Sequence, residues 1–200
     1  MSYHGPKARL ARRFGVSWTP KGDKILARRP NPPGQHGPDM RRDRESVYKK
    51  QLTQKQLLRA QYNIREKQMR NYFLKALKSR GNYDEQLIQL LETRLDALVL
   101  RAGFAQTIYA ARQYVNHGHV LVNERRVTFP SYSVKPGDRI SIKQKSQASL
   151  REQIVNPPAA VPPYLESSQE KFIAQLLRLP ATHEVPVLGD VRQVIEFYSR

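Results

Sequence analysis

Four side chains recur along one face of the helix that is predicted to follow Thr107. Counted from Tyr109, the other three follow at spacings of three, four and seven residues, namely Arg112, Gln113 and Asn116. Residues at these spacings share one stripe of an α-helix. The stripe combines an aromatic ring with hydrogen-bond donors, and an arginine can pair with a phosphate through two hydrogen bonds. This pattern favours binding, although Arg112 could equally be a solvated surface cation.

His117 and His119 flank a glycine at the end of that helix and could contact a metal. The chain has no cysteine, which excludes disulfides and thiolate ligands. No carboxylate pair lies near the two histidines in the sequence. A loop that follows a helix is the simpler interpretation, so we predict neither a metal nor another cofactor.

Catalytic motifs are missing from the sequence. It contains no phosphate-cradling Gly-x-x-x-x-Gly-Lys pattern and no Gly-x-Ser-x-Gly elbow. Acidic residues are sparse and scattered, so a paired-carboxylate site is unsupported. The absence of motifs does not by itself exclude catalysis, but no residues indicate a reaction. An RNA-modifying enzyme would need a catalytic domain that the last fifty residues cannot supply, so we predict that the protein is not an enzyme and has no small-molecule substrate.

The positive charge is concentrated at one end of the chain. Residues 1–80 carry 21 Lys and Arg against 5 Asp and Glu, which gives nearly all of the net charge of +18. Uncompensated charge of one sign opposes compaction, and an extended polyanion removes that cost. The charge distribution therefore predicts a nucleic-acid partner, with counterion release as the driving force.

Proline and glycine interrupt residues 1–45 repeatedly, so this basic segment is predicted to be irregular and extended. Two interpretations stay open: a disordered arm, or an extension that becomes ordered on RNA. Residues 46–80 show helical spacing of apolar side chains, and Ser46 can cap the first helix.

Residues 84–150 form the most regular part of the sequence. Apolar spacing over 87–99 predicts one amphipathic helix that Gly103 ends, and Thr107 can cap the next helix. A hairpin around Asn123–Glu124 follows, and the segment 134–142 is predicted to add a short strand pairing.

The last part of the chain is less regular. Paired prolines predict a linker over residues 151–168, and apolar spacing predicts a short helix within residues 169–180. No apolar run is long enough for a membrane span, and the N-terminus lacks the apolar core of a signal peptide. We expect a soluble protein in the cytoplasm or in an organelle, with no membrane partner.

Three stretches of the sequence carry a recognisable pattern. They are Arg29-Pro30-x-Pro32-Pro33-Gly34-Gln35-His36-Gly37, the segment from Leu91 to Asn123 with Arg94-Leu95-Asp96 and His117-Gly118-His119, and Val194-Ile195-Glu196-Phe197-Tyr198-Ser199-Arg200. Together they resemble the family of bacterial-type small-subunit ribosomal proteins S4. The second stretch alone would indicate only an RNA-binding domain that some tRNA synthetases and pseudouridine synthases share.

This resemblance implies an α+β fold with a mostly helical N-terminal unit, an inserted α-α-β RNA-binding module and an extended basic N-terminal segment. The implied parts are a basic and helical unit over residues 1–90 and the module over residues 91–150. Residues 151–200 form a proline-rich linker and a tail that packs back on the first unit.

The resemblance also implies binding to the five-prime domain of small-subunit rRNA early in assembly, beside neighbouring small-subunit ribosomal proteins. The location would be the ribosome, in the bacterial cytoplasm or in an organelle stroma or matrix. The predicted rRNA contacts are Arg12, Arg13, Gln35, His36, Lys55, Arg70, Thr107, Arg112, Gln113, Asn116, His117 and His119.

Family members lie near the channel through which mRNA enters. Arg41, Arg42 and Arg44 are therefore predicted to contact mRNA transiently. The alternative for this loop is a solvated segment that is partly self-paired with Asp43 and Glu45.

The chain departs from the family pattern in places. Many members carry N-terminal cysteines that can hold zinc, and this chain has none. The family's usual Asn-Gly hairpin is Asn123–Glu124 here, so we expect the primed turn to be strained or replaced because glutamate is poor at positive φ. The rival function is a free-standing RNA-binding factor built on the same module, in which residues 1–80 would have no place.

Overall fold

The computed structural model describes residues 3, 5–38, 45–79, 81–153 and 160–199. The chain divides into two compact units, one formed by residues 1–74 with 187–200 and the other by residues 75–186. Helices and an antiparallel sheet are both present, which confirms the α+β class. None of the helices in the described parts is long and apolar enough to cross a membrane.

The first unit is helical. It contains α1 (Lys7–Phe14), α2 (Pro20–Arg28), α3 (Val47–Gln61), most of α4 (Glu66–Lys78) and α9 (Val191–Tyr198). Ser46 caps α3 as predicted, because its hydroxyl accepts a hydrogen bond from the Lys49 amide at 3.2 Å.

The sequence predicts an irregular, extended segment over residues 1–45, but the structure has the helices α1 and α2 there. Gly15 ends α1 with a φ of 69°, and the Thr19 hydroxyl caps α2 by accepting from the Gly22 amide at 3.2 Å. The prolines therefore mark helix starts and loops: Pro6 precedes α1, and Pro20 is the first residue of α2.

The carboxyl-terminal helix α9 packs on α3 within the same unit. The Gln51 side-chain amide donates to the Glu196 carboxylate at 2.8 Å, and the Asp190 amide donates to the side-chain oxygen of Gln54 at 3.1 Å. Residues distant in sequence are thereby joined, so residues 187–199 belong to this unit.

The second unit begins with α5 (Tyr83–Glu92), α6 (Leu95–Arg101) and α7 (Ile108–Asn116). The single helix predicted over 87–99 is interrupted at Thr93 and Arg94. Arg94 has an extended backbone, forms an isolated bridge to Ser133, and leaves the Leu95 amide to donate to the Tyr132 carbonyl at 2.9 Å. Apolar periodicity does not reveal this break, because the buried leucines continue at spacings of three and four residues from Leu87 and Leu91 in α5 to Leu95 and Leu98 in α6.

The rest of the second unit contains β1 (Val120–Val122), β2 (Arg125–Arg126), β3 (Arg139–Ile142), α8 (Gln144–Gln153), β4 (Leu165–Ser168), β5 (Ile173–Leu176) and a 3₁₀ turn (Thr182–Glu184). The described strands form an antiparallel sheet with the order β2-β1-β3-β5-β4.

The short helix predicted within 169–180 is wrong, because residues there form β5 and pair with β3. In β5, Ala174 and Leu176 are buried while Gln175 is exposed, which is the alternation of a strand.

Candidate nucleic-acid interface

Helix α7 presents three of the predicted contacts to solvent. Thr107 caps the helix, since its hydroxyl accepts from the Ala110 amide at 3.2 Å. Ile108, Ala111 and Val115 are buried, which fixes the rotation of the helix about its axis. The exposed side of the helix carries Gln113 and Asn116, and the exposed His117 caps its carboxyl end.

The hairpin after α7 places an arginine beside that end. Asn123 and Glu124 have φ values of 47° and 65°, so the turn is of the primed type although Glu124 replaces the glycine that such turns favour. This turn pairs Leu121 with Arg126. The Arg126 guanidinium then donates to the His117 carbonyl at 3.5 Å.

Gly118 makes this arrangement possible. It has a φ of 71°, and a Cβ atom at this position would lie 2.1 Å from Nε of Arg126. A larger residue would therefore displace the guanidinium. We call the four exposed residues Gln113, Asn116, His117 and Arg126 the α7–β2 surface. It offers side-chain amides, an imidazole and a guanidinium, which are suitable groups for phosphates and base edges.

Arg126 is not among the contacts predicted from the sequence. The signal is present, because Arg125 and Arg126 follow the predicted hairpin turn directly. Their proximity to α7 depends on the strand register, and a shift by one residue would bring Arg125 to that position instead.

His119 has a different environment from His117. Its Nδ1 lies 2.8 Å from the Ser146 hydroxyl of α8, and its ring packs edge-on to Tyr114 with the centroids 6.4 Å apart. The side chain is half-buried, so it connects the end of α7 to α8. Within the described ranges, no three His, Asp or Glu side chains are grouped as a metal site would require.

Arg112 is less exposed than Gln113 and Asn116, which lie on the same stripe. Its side chain is 16% exposed and its guanidinium lies 3.6 Å from the carboxylate of Asp96. Asp96 also accepts two hydrogen bonds from Arg94, at 2.9 and 2.6 Å, and one from the Ala97 amide at 3.0 Å. Arg112 therefore belongs to a buried ionic cluster under the helix pair, and its contact with rRNA stays a prediction.

A second buried cluster holds α5 against α6. Glu92 is fully buried and accepts two hydrogen bonds from Arg101, at 3.1 and 2.7 Å. The Tyr164 hydroxyl donates to the same carboxylate at 3.1 Å. Burial, with the negative charge of Glu92, raises the pKa of Tyr164, so its hydroxyl stays a donor.

Two of the contacts predicted in the first unit have structural partners. Arg12 donates to the carbonyls of Asn31 and Pro32 at 2.9 and 3.1 Å, which ties a loop to α1. Lys55 is 7% exposed, and its ammonium lies 3.1 Å from Glu66 and 4.3 Å from the centre of the Phe197 ring. Because this ammonium is enclosed by protein groups, we do not count Lys55 among the groups that are exposed to a ligand.

The remaining predicted contacts of that unit are at the surface. Arg13, Gln35, His36 and Arg70 are all exposed. Arg41, Arg42 and Arg44 lie outside the described residues. The predicted contacts thus fall in both units, and within the second unit those at the end of α7 lie together.

Comparison with known proteins shows two family matches that together run from residue 2 to residue 140. Residues 2–92 match the profile described as Ribosomal protein S4/S9 N-terminal domain, and residues 93–140 match the S4 domain.

Bacterial relatives are similar along nearly the whole chain, and each is named small ribosomal subunit protein uS4. The relative from Beutenbergia cavernae is 48% identical, with 97% of this chain and 96% of the relative covered. The relative from Micrococcus luteus is 47% identical, with 96% of this chain and 95% of the relative covered. The relative from Bifidobacterium longum is 44% identical, with 97% of this chain and 96% of the relative covered.

Proposed function

The chain belongs to the uS4 family of small ribosomal subunit proteins, and from this membership we propose that it binds the five-prime domain of small-subunit rRNA early in assembly. The family is one of structural ribosomal proteins. Its bacterial relatives are named as proteins of the small ribosomal subunit, which supports a location in the ribosome and binding to rRNA beside other proteins of that subunit.

The observation that carries the proposal is the α7–β2 surface. Two amides, an imidazole and a guanidinium are exposed at one helix end, and a buried ionic cluster holds the helix pair from below. Because the helix that carries these donors is already held in place, its backbone loses little conformational freedom on binding, which suits a folded RNA backbone.

The charge of residues 1–80 supports a second set of rRNA contacts in the basic part of the chain. This segment has few internal acids to neutralise its arginines and lysines. Each phosphate contact releases counterions, so affinity for rRNA should fall steeply with salt, by roughly 0.7–0.9 log units per log unit of salt for each contact. Deletion of residues 1–45 should flatten that slope if the segment contributes.

Reconstitution of the small subunit tests the proposed role. The full chain should bind naked small-subunit rRNA without any other ribosomal protein and should protect nucleotides of the five-prime domain. Omission of the chain should stop the addition of later proteins. Binding that requires prior addition of most other proteins would contradict an early role.

A contribution at the channel through which mRNA enters is part of the proposal and rests on the family resemblance for Arg41, Arg42 and Arg44. Phosphate contacts carry no sequence preference, so the three arginines would act on any message. Replacement of all three by alanine should leave subunits assembled and should slow translation of structured messages more than unstructured ones. Equal slowing of both would contradict this role.

The alternative function is a free-standing RNA-binding factor. A high-salt wash of purified ribosomes discriminates between the two functions, because an integral protein stays with the small subunit and a loosely associated factor is released. The two family matches and the full-length relatives favour the integral protein.

A further inference from the structure

A cavity of about 500 Å³ lies between α1, α2 and the loop that follows them. Its volume falls within the range of roughly 300–1,000 Å³ that is usual for ligand pockets. Four of its lining residues are arginines, namely Arg9, Arg12, Arg28 and Arg29. No acidic side chain of the described residues lines it.

The floor of the cavity is apolar. Ala8 of α1, Ile25 of α2 and Pro33 of the loop line it together with the aliphatic parts of the arginines. Ile25 is only half-buried, so a water-exposed apolar surface remains beneath the cations. A simple phosphate site would not need such a floor.

The walls are held in place by identified contacts. Arg12 fixes the loop by its hydrogen bonds to Asn31 and Pro32. The loop is closed by a bond from the Gly37 amide to the Gly34 carbonyl at 3.2 Å, and a Cβ atom at Gly37 would lie 2.0 Å from the Pro32 carbonyl. Arg12 is therefore a positioning residue, and the cavity exists before any ligand arrives.

The other three arginines are available to a ligand. The side chains of Arg9, Arg28 and Arg29 are exposed, and none of them makes a hydrogen bond or ion pair with another residue that the structure describes. Like charges around one cavity repel each other, so an anion that enters it relieves that repulsion.

We propose that this cavity receives a single unstacked nucleotide of the rRNA, with its base on the floor of Ala8, Ile25 and Pro33 and its phosphates on Arg9, Arg28 and Arg29. A nucleotide is the ligand class that combines a flat, largely apolar ring with one or more adjacent negative charges. The inference rests on the proposed rRNA binding and adds a site in the first unit. RNA-binding proteins commonly read such unpaired, splayed-out bases.

Two variants test the two halves of the site. Ala8→Phe fills the floor without changing any charge. The double variant Arg28→Gln, Arg29→Gln removes two cations from the rim. Its control is the double variant Lys21→Gln, Lys24→Gln. The control removes the same amount of charge from exposed positions on α2 that do not line the cavity. Thermal melting of each full-length variant shows whether it remains folded.

The measurement is ultraviolet crosslinking of the full chain to small-subunit rRNA, followed by mass spectrometry of the peptide–nucleotide adducts. Wild-type protein should give an adduct within residues 25–33. Ala8→Phe and the arginine pair should each lower its yield roughly tenfold, as a loss of about 1.4 kcal/mol of binding free energy would. The lysine pair should leave the yield unchanged.

The outcomes separate this inference from the proposed function. If wild-type protein does not bind rRNA at all, the proposed function fails. If it binds rRNA but gives no adduct within 25–33, or if Ala8→Phe leaves that adduct unchanged, only the nucleotide site fails. Saturable binding of free AMP or UMP without an rRNA adduct would overturn the assignment to rRNA.

Discussion

Arg94 and Asp96 form a two-point ion pair, with side chains that are 1% and 0% exposed, beneath the first two helices of the RNA-binding module. Asp96 is the shared acceptor, since Arg112 approaches it from α7. The carboxylate therefore joins α6 to α7, and its loss would remove a negative charge that two guanidiniums share.

Asp96→Asn should lower the free energy of unfolding by about 3–5 kcal/mol, which is the usual cost of removing one partner from a buried pair. Urea unfolding of the full chain measures it. Glu166→Gln is the control, because Glu166 is exposed on an edge strand and should change stability little. A loss below about 1 kcal/mol for Asp96→Asn would mean that the pair behaves as an exposed one.

Arg112 and Gln113 are adjacent in sequence but should respond differently to substitution. Arg112→Ala removes a partly buried partner of Asp96, so it should lower stability by about 1–3 kcal/mol and weaken rRNA binding indirectly. Gln113→Ala should keep the wild-type melting temperature, because its side chain is exposed. Melting curves and rRNA titrations for both variants check this, and unchanged stability in Arg112→Ala would restore the simpler surface role.

The carboxylate of Glu66 gives the first unit a specific pH dependence. Burial opposes its ionisation, but hydrogen bonds from Tyr198 and Lys55, together with the charges of Lys55 and Arg59, outweigh that effect and hold its pKa below its usual value. A lowered folded-state pKa contributes stability that is present above the unfolded pKa of about 4.3 and is lost as the pH falls through the folded value.

Comparison with Glu66→Gln isolates this contribution. At pH 7 the wild type should be the more stable protein, and the difference should shrink as the pH is lowered from about 5 through the folded pKa. Unfolding curves recorded across that range measure the difference. A difference that stays constant with pH would show that Glu66 does not titrate as its partners imply.

The sequence predicts the parts of this fold that depend on local patterns. Ser46 and Thr107 have the residue type of N-caps, and both cap helices. The break at Arg94 and the strand β5 depend on partners elsewhere in the chain, namely Ser133 and β3, so apolar spacing alone could not reveal them. The burial of Lys55 likewise follows from the distant carboxyl-terminal residues Phe197 and Tyr198.

At the Asn123–Glu124 turn, the hairpin requires a positive φ at a position where glutamate is unfavourable. The primed turn forms with Glu124 at a φ of 65°. Because a side chain at positive φ costs roughly 1 kcal/mol, Glu124→Gly should raise the free energy of unfolding by about 0.5–1 kcal/mol. Urea unfolding checks this, with Glu124→Ala as the control that removes the carboxylate but keeps the strain. Equal stability of the two variants would argue against strain at this turn.

The affinity of the full chain for small-subunit rRNA, compared between Arg126→Gln and Lys135→Gln, tests the central claim most directly. Each variant removes one exposed positive charge from the second unit, but only Arg126 belongs to the α7–β2 surface. Arg126→Gln should weaken binding by about 10–100-fold, the equivalent of one charge-assisted hydrogen bond, and Lys135→Gln by no more than about threefold. Equal weakening by both variants would mean that net charge, and not this surface, determines recognition.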